Sequence, residues 1–364
     1  MPLGKFGKTM IDEDFWHGKR VFLTGHTGFK GSWLSLWLQH LGASVVGVSL
    51  DPPTTPSLYV KANIAKNMIS LREDICNGEK IKKIFEKYKP DVVFHLAAQP
   101  LVRYSYDNPV ETYRVNVMGT LYVLEAIRNI NTVQAAIMVT TDKCYDNKEW
   151  EWGYRENEPM GGHDPYSSSK GAAELLIASY RNSYYGEGSH NFTAIASVRS
   201  GNVIGGGDWA ENRLIPDIIN SFQRKKIVEI RNPNSIRPWQ HVLEPLFGYI
   251  KLAESLVNNG LDYAESWNFG PKDDDVRTVQ WIVEEISRQW GGNSGWKKDG
   301  KSNPHEANYL KLDCSKVNFR LGWSPKWNLN YALKMIVEWH KLEQMNHDCK
   351  KICLSQIERY MEAK

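Results

Sequence analysis

An α/β fold built on a doubly wound parallel sheet, with a smaller mixed region toward the C-terminus, is what the sequence predicts. Three observations predict it. Short β-branched runs alternate with longer helical patterns through the first half. A glycine-rich segment directly follows the first of those runs. After about residue 200 the alternation gives way to Gly205-Gly206-Gly207 and to Pro216, Pro233, Pro238 and Pro245.

The elements follow in order. Val21-Phe22-Leu23-Thr24 reads as a strand, and residues 30–41 as a helix stopped by Gly42. Strands are expected at 45–50, 91–96 and 135–140, with helices at 78–88 and 112–129 between them. Strands separated by helices need right-handed crossovers, which gives a mainly parallel sheet covered on both faces. The expected division is 1–200 and 201–364. The boundary is soft, because no flexible linker separates the two and some chain exchange between them is expected.

Composition narrows the function classes. The chain has 364 residues, 41% hydrophobic and 24% charged, as in an ordinary globular protein. Its 45 Lys and Arg against 42 Asp and Glu leave a net charge of +3, too little to argue for nucleic acid or an anionic membrane. No apolar run approaches the roughly 18 residues a membrane span requires. The first residues, with Lys5, Lys8, Asp12, Glu13 and Asp14, do not resemble a secretory signal. Cys76, Cys144, Cys314, Cys349 and Cys353 are scattered and odd in number, which argues against a disulfide framework. His347, Cys349 and Cys353 lie close together but lack a fourth ligand, so no metal is expected. The expected compartment is the cytoplasm.

Gly25-His26-Thr27-Gly28-Phe29-Lys30-Gly31 joins the first strand to the first helix. Glycines there let the backbone approach a pyrophosphate at the helix N-terminus, the geometry of a Rossmann-type dinucleotide site. Asp51 closes the second strand, where a carboxylate can hold ribose hydroxyls and repel a 2′-phosphate, which favours NAD over NADP. It also suits a plain turn before Pro52-Pro53. Asp74-Ile75 is positioned for adenine, and Leu96-Ala97-Ala98 is small enough for a cofactor to lie close above the sheet edge.

Tyr166 and Lys170 share a helix face, with Asp164 as cap and Pro165 in the first turn. A neighbouring ammonium favours phenolate, so Tyr166 is a candidate base for a sugar hydroxyl. Tyr360 and Lys364 repeat that spacing, so spacing alone has no weight. Position gives the weight: the pair follows Thr140-Thr141-Asp142-Lys143, at the carboxyl end of a strand where open parallel sheets bind ligands. Those groups can orient a hydroxyl and move two protons, although a turn with a solvated ion pair would read the same way.

The glycine segment, Asp51, Leu96-Ala97-Ala98, Asn116, Thr141 and the Tyr166/Lys170 pair together resemble the extended short-chain dehydrogenase/reductase family over nearly the whole chain. Thr141-Asp142 ahead of the tyrosine resembles the sugar-nucleotide 4,6-dehydratases within it. The glycine segment with Ser32-Trp33-Leu34, and Ile236-Arg237-Pro238-Trp239-Gln240-His241-Val242, resemble the branch acting on CDP-glucose. Lys143 stands where the dTDP-glucose enzymes carry Glu.

The resemblance implies a lyase with NAD as cofactor and a nucleotide sugar as substrate. Thr141, Asp142, Lys143, Tyr166 and Lys170 would be catalytic. Gly25, Thr27, Gly28, Phe29, Lys30, Gly31, Asp51, Asp74, Ile75, Leu96, Ala97, Ala98, Asn116 and Thr140 would meet the cofactor, held by residues 1–200. Gln99, Ser105, Asn202, Arg213, Arg231, Arg237, His305 and Tyr309 would meet the sugar nucleotide, bound mainly by 201–364. It also implies a homo-oligomer paired through helices and a role in deoxysugar synthesis for surface polysaccharide. A 4-epimerase would share Tyr166 and Lys170, but it has no elimination for Asp142-Lys143 to serve. A non-catalytic NAD-sensing protein is the remaining alternative.

Overall fold

The computed structural model describes residues 10–185, 193–291, 295–299 and 309–363. Six strands run through the first 200 residues: β1 (Arg20–Thr24), β2 (Ser44–Ser49), β3 (Ile69–Arg72), β4 (Val92–His95), β5 (Ala135–Val139) and β6 (Ala194–Ser200). A seventh, β7 (Ser266–Phe269), arrives from the second half. The order is β7-β6-β5-β4-β1-β2-β3, with every pairing parallel. The chain therefore starts at the middle of the sheet and winds outward both ways. This places a crevice at the carboxyl ends of β1 and β4, where the direction reverses.

Each face of the sheet buries its own helices. Leu23, Phe94, Ile137 and Val198 pack with α1 (Phe29–His40), whose Trp33 and Trp37 are wholly buried. Two such side chains remove roughly 150–250 Å² each from water, on the order of 4–6 kcal/mol apiece. On the other face Phe22, Val93 and Ile195 meet α2 (Gly78–Tyr88), α3 (Thr120–Arg128) and α4 (Pro165–Tyr184) through Phe85, Val123 and Ile177. The helical pattern expected at 112–129 is interrupted by a π-helical stretch, Arg114–Gly119, which carries Asn116.

The later half has a separate core. Helices α5 (Leu214–Gln223), α7 (Val279–Trp290) and α8 (Leu329–Gln344) gather Ile218, Phe222, Ile282, Ile286 and Ile336. Between α5 and α7, α6 (Leu243–Asn259) packs on the sheet instead, through Leu246, Tyr249 and Ile250. The last helix, α9 (Cys349–Glu362), places Tyr360 against α1 and α6, where its hydroxyl donates to Glu244 at 2.5 Å. Tyr360 of the second Tyr-x-x-x-Lys spacing is thus a core residue, and Lys364 lies outside the described residues. No helix among the described residues is long and apolar enough to cross a membrane.

Candidate active site

The glycine turn is shaped by what cannot be added to it. Gly25 has φ +78°, and a β-carbon there would stand 2.8 Å from the Ala97 amide nitrogen. One on Gly31 would collide with the Gly25 carbonyl. Gly28 starts α1 with no side-chain cap, so the first amides of that helix are left to a ligand. Thr27 anchors the turn to β2 through Ser49 Oγ at 2.7 Å and the Leu50 carbonyl at 3.0 Å. Thr24 Oγ1 accepts from the amides of Leu96 and Ala97, both at 3.1 Å, and bonds His95 Nδ1 at 2.8 Å. These bonds fix the small-residue edge Leu96-Ala97-Ala98 beside the turn. The cradle fits a dinucleotide pyrophosphate.

Farther along the edge, Asp51 is exposed and accepts from Arg72 Nε at 3.0 Å, a partner that the sequence reading missed. Asp74 accepts from Cys76 N at 2.9 Å and from Arg114 at 3.1 Å, and Ile75 is buried beside it. Asn116 ties the crevice to α4: its Nδ2 donates to Ser169 Oγ at 2.9 Å and to the Gln99 carbonyl at 3.1 Å. Both ends of the Gln99 amide are engaged within the chain, with Thr112 and the Leu101 amide. Ser105 is buried and accepts from the Tyr166 amide at 3.2 Å. It therefore meets the backbone of α4.

That helix starts where its local signals place it. Asp164 accepts from Ser167 N at 2.9 Å, and Pro165 occupies the first turn. Tyr166 and Lys170 are both buried. Burial pushes the Tyr166 phenol up to about 12, opposed by hydrogen bonding with Thr141 and by the charge of Arg213. This departs from the expected lowering by Lys170, because desolvation outweighs the cations near the phenol. Lys170 Nζ donates to the Val139 carbonyl at 3.4 Å. Its ammonium is pushed down to about 8, mainly by burial and against the pull of Glu174.

Thr141 caps the turn that holds Asp142 and donates to Asp142 Oδ1 at 2.9 Å. Asp142 Oδ2 is buried without a partner. Desolvation raises the Asp142 pKa, opposed first by Lys143 and then by Thr141 and Arg237. Lys143 is half-buried beside it. Lys30, on the first turn of α1, donates to Ser200 Oγ at 3.3 Å. Burial pushes it down to about 7, reinforced by the charges of Lys170 and Arg213.

From the later half, Arg213 is held by Asp208 at 3.0 Å, and Arg237 is buried within the field of Asp142. Arg231 donates to the Asn212 carbonyl at 3.2 Å. Asn202 is half-buried next to Gly201, which touches Asp142. Tyr309 offers its carbonyl to Asn147 at 3.0 Å. His305 lies outside the described residues. The sequence reading also missed Glu174 and Arg199, a buried pair beneath Lys170. The signal for Glu174 was its place four residues after Lys170 on one helix.

The sequence profile of the family described as GDP-mannose 4,6 dehydratase matches residues 22–336. The CDP-glucose 4,6-dehydratase of Salmonella typhimurium is 54% identical over 356 residues, spanning 97% of this chain and 99% of that protein. Among solved structures, the UDP-glucuronic acid 4-epimerase of Bacillus cereus has TM-score 0.76 and 24% identity, over 89% of this chain and 99% of that one. The dTDP-glucose 4,6-dehydratase of Bacillus anthracis has TM-score 0.73 and 20% identity, over 90% and 98%. Those two structural likenesses carry the fold. The near-complete match at 54% identity and the profile match carry the family: the chain belongs to the GDP-mannose 4,6 dehydratase family.

Proposed function

We propose that this protein is an NAD-dependent hydro-lyase that converts CDP-glucose to CDP-4-keto-6-deoxy-glucose. The observation that carries the reading is Asp142, a buried carboxyl raised by desolvation, with an unpartnered oxygen beside Lys143 and Tyr166, because an elimination needs an acid that oxidation alone does not. NAD+, held on the glycine cradle, supplies the hydride acceptor and a positive ring when bound. Tyr166, with Thr141 and Lys170, removes the C4 hydroxyl proton as hydride leaves C4. The ketone then acidifies C5. Lys143 takes the C5 proton while protonated Asp142 gives its proton to the departing C6 hydroxyl, which leaves as water. Hydride returns to C6 and a proton to C5, so no net redox change remains.

Residues 1–200 mainly hold the cofactor and 201–364 the sugar nucleotide, with Arg213 and Arg237 suited to the pyrophosphate. Leu175 (63% exposed) on α4, with Val110 (81%), Tyr113 and Met118 before α3, offers an apolar face for pairing with a second copy. Light scattering tests that dimer. A nucleotide-sugar substrate supports a cytoplasmic site of action.

The test is mass spectrometry of purified protein with NAD+ and a panel of CDP-, dTDP-, GDP- and UDP-sugars. Loss of one water from CDP-glucose without accumulation of NADH is expected. An unchanged mass with inverted sugar configuration would overturn the reading in favour of an epimerase.

A further inference from the structure

Glu174 lies one helical turn beyond Lys170 on α4 and is 2% exposed. Both its oxygens are engaged. Oε1 accepts from Thr140 Oγ1, and Oε2 from Arg199 Nη2 at 2.7 Å and Ser197 Oγ at 2.8 Å. Arg199, on β6, is 3% exposed and extends the network. Its Nη1 donates to Tyr145 Oη at 2.7 Å and to the Glu156 carbonyl at 3.0 Å. Tyr145 in turn donates to Asn268 Oδ1 on β7 at 2.8 Å.

A buried ion pair is poor value as a stabiliser, because desolving two charges offsets their attraction. Apolar residues of the same shape would fill the space between α4 and β6 as well. The location of the pair suggests a different use. Thr140 is covalently joined to Thr141, which bonds Asp142. Lys170 is the cation one turn away on the same helix face. Tyr166 shares the helix face of Lys170, and Cys144 after β5, Lys30 on α1 and His95 on β4 lie within its field; neutral His95 adds no charge. Glu174 is the carboxylate that acts on Lys170 directly.

We propose that Glu174, braced by Arg199, is a positioning residue for the dehydration: it keeps Lys170 charged in a desolvated site and fixes the end of β5 that presents Thr141 and Asp142. The inference rests on the reading of Lys170 as part of the oxidation machinery. Without Glu174, Lys170 would lose its proton at lower pH, because burial disfavours the charged form.

The experiment is the pH profile of kcat and KM for CDP-glucose with saturating NAD+, for the full chain and its variants. Lys170→Met comes first; retained turnover would remove Lys170 from the machinery and the inference with it. With Lys170 essential, Glu174→Gln is expected to move the alkaline limb of kcat down by about one pH unit, leaving KM near the parent value. Glu174→Asp should restore most of that shift. A uniform loss of kcat at every pH, with the limb in place, would reduce Glu174 to a structural pillar and overturn the proposal alone. Should Glu174→Gln not fold, the double variant Glu174→Leu/Arg199→Met removes both charges at similar volume. It should show the same displaced limb, and a limb at the parental pH would overturn the proposal.

Discussion

Asp142 and Gly201 touch across the crevice so closely that position 201 has no room for a β-carbon: one added there would run into Asp142 Oδ2 and lie 2.8 Å from Pro238 Cγ. A residue just past β6 thereby sets the place of an acid just past β5. Gly201→Ala should push the carboxyl out of line. A fall in kcat of about 100-fold is expected, the usual cost of a displacement near 1 Å at a reacting group. NAD+ binding, measured by fluorescence titration, should stay at the parent value.

Tyr166→Phe removes the proposed base for the C4 hydroxyl and should lower turnover by about 10²–10⁴-fold. No reduced nicotinamide should appear in a single turnover followed by absorbance. Substantial residual oxidation would take the role from Tyr166.

Lys143→Ala should divide the reaction differently. Hydride should still leave C4, giving transient NADH, while water loss measured by mass should drop by roughly 10²-fold or more. Normal elimination by this variant would assign the C5 base to another group.

Asp142 should also leave its mark on stability. Its pKa in the fold is raised by burial above the unfolded value near 3.9. A raised carboxyl contributes stability that is present below the unfolded pKa and lost as pH rises through the folded one. Asp142→Asn cannot ionise, so it should melt higher than the parent at neutral pH, by about 2–4 °C per kcal/mol relieved. That advantage should close as pH falls to about 4. Thermal melts from pH 4 to 8 read this directly, and the variant should be inactive.

Tyr360→Phe is the opposite case. Tyr360 donates to buried Glu244, which also accepts from the amides of Trp327 and Lys326. Its loss should cost about 1–3 kcal/mol of stability. The kinetic constants should not move, because this tyrosine lies in the core between α9, α1 and α6.

The parts of the site that were legible in the sequence are those set locally. Asp164 and Pro165 announce the start of α4, and the strand–glycine–helix order announces the cradle. What escaped was fixed by register and crossing. Arg72 reaches Asp51 because Arg72 pairs with Ser49 across β2 and β3. Arg199 meets Glu174 only because β6 lies beneath α4. The upward shift of Asp142 comes from its burial, with Gly201 packed against it, and no spacing within Thr140-Thr141-Asp142-Lys143 encodes that. The upward pKa of Tyr166 escaped for a similar reason. Its depth of burial, which outweighs nearby cations, is a property of the assembled crevice.

Strand β7 has a consequence for how the protein is made. Ser266–Phe269 closes the sheet beside β6, yet a ribosome reaches it long after β6 has emerged. During that interval β6 is an open edge able to pair with any extended chain nearby. The nascent protein is therefore exposed to misassembly between those two strands, and the cofactor-holding sheet is complete only after much of the second half has been synthesised.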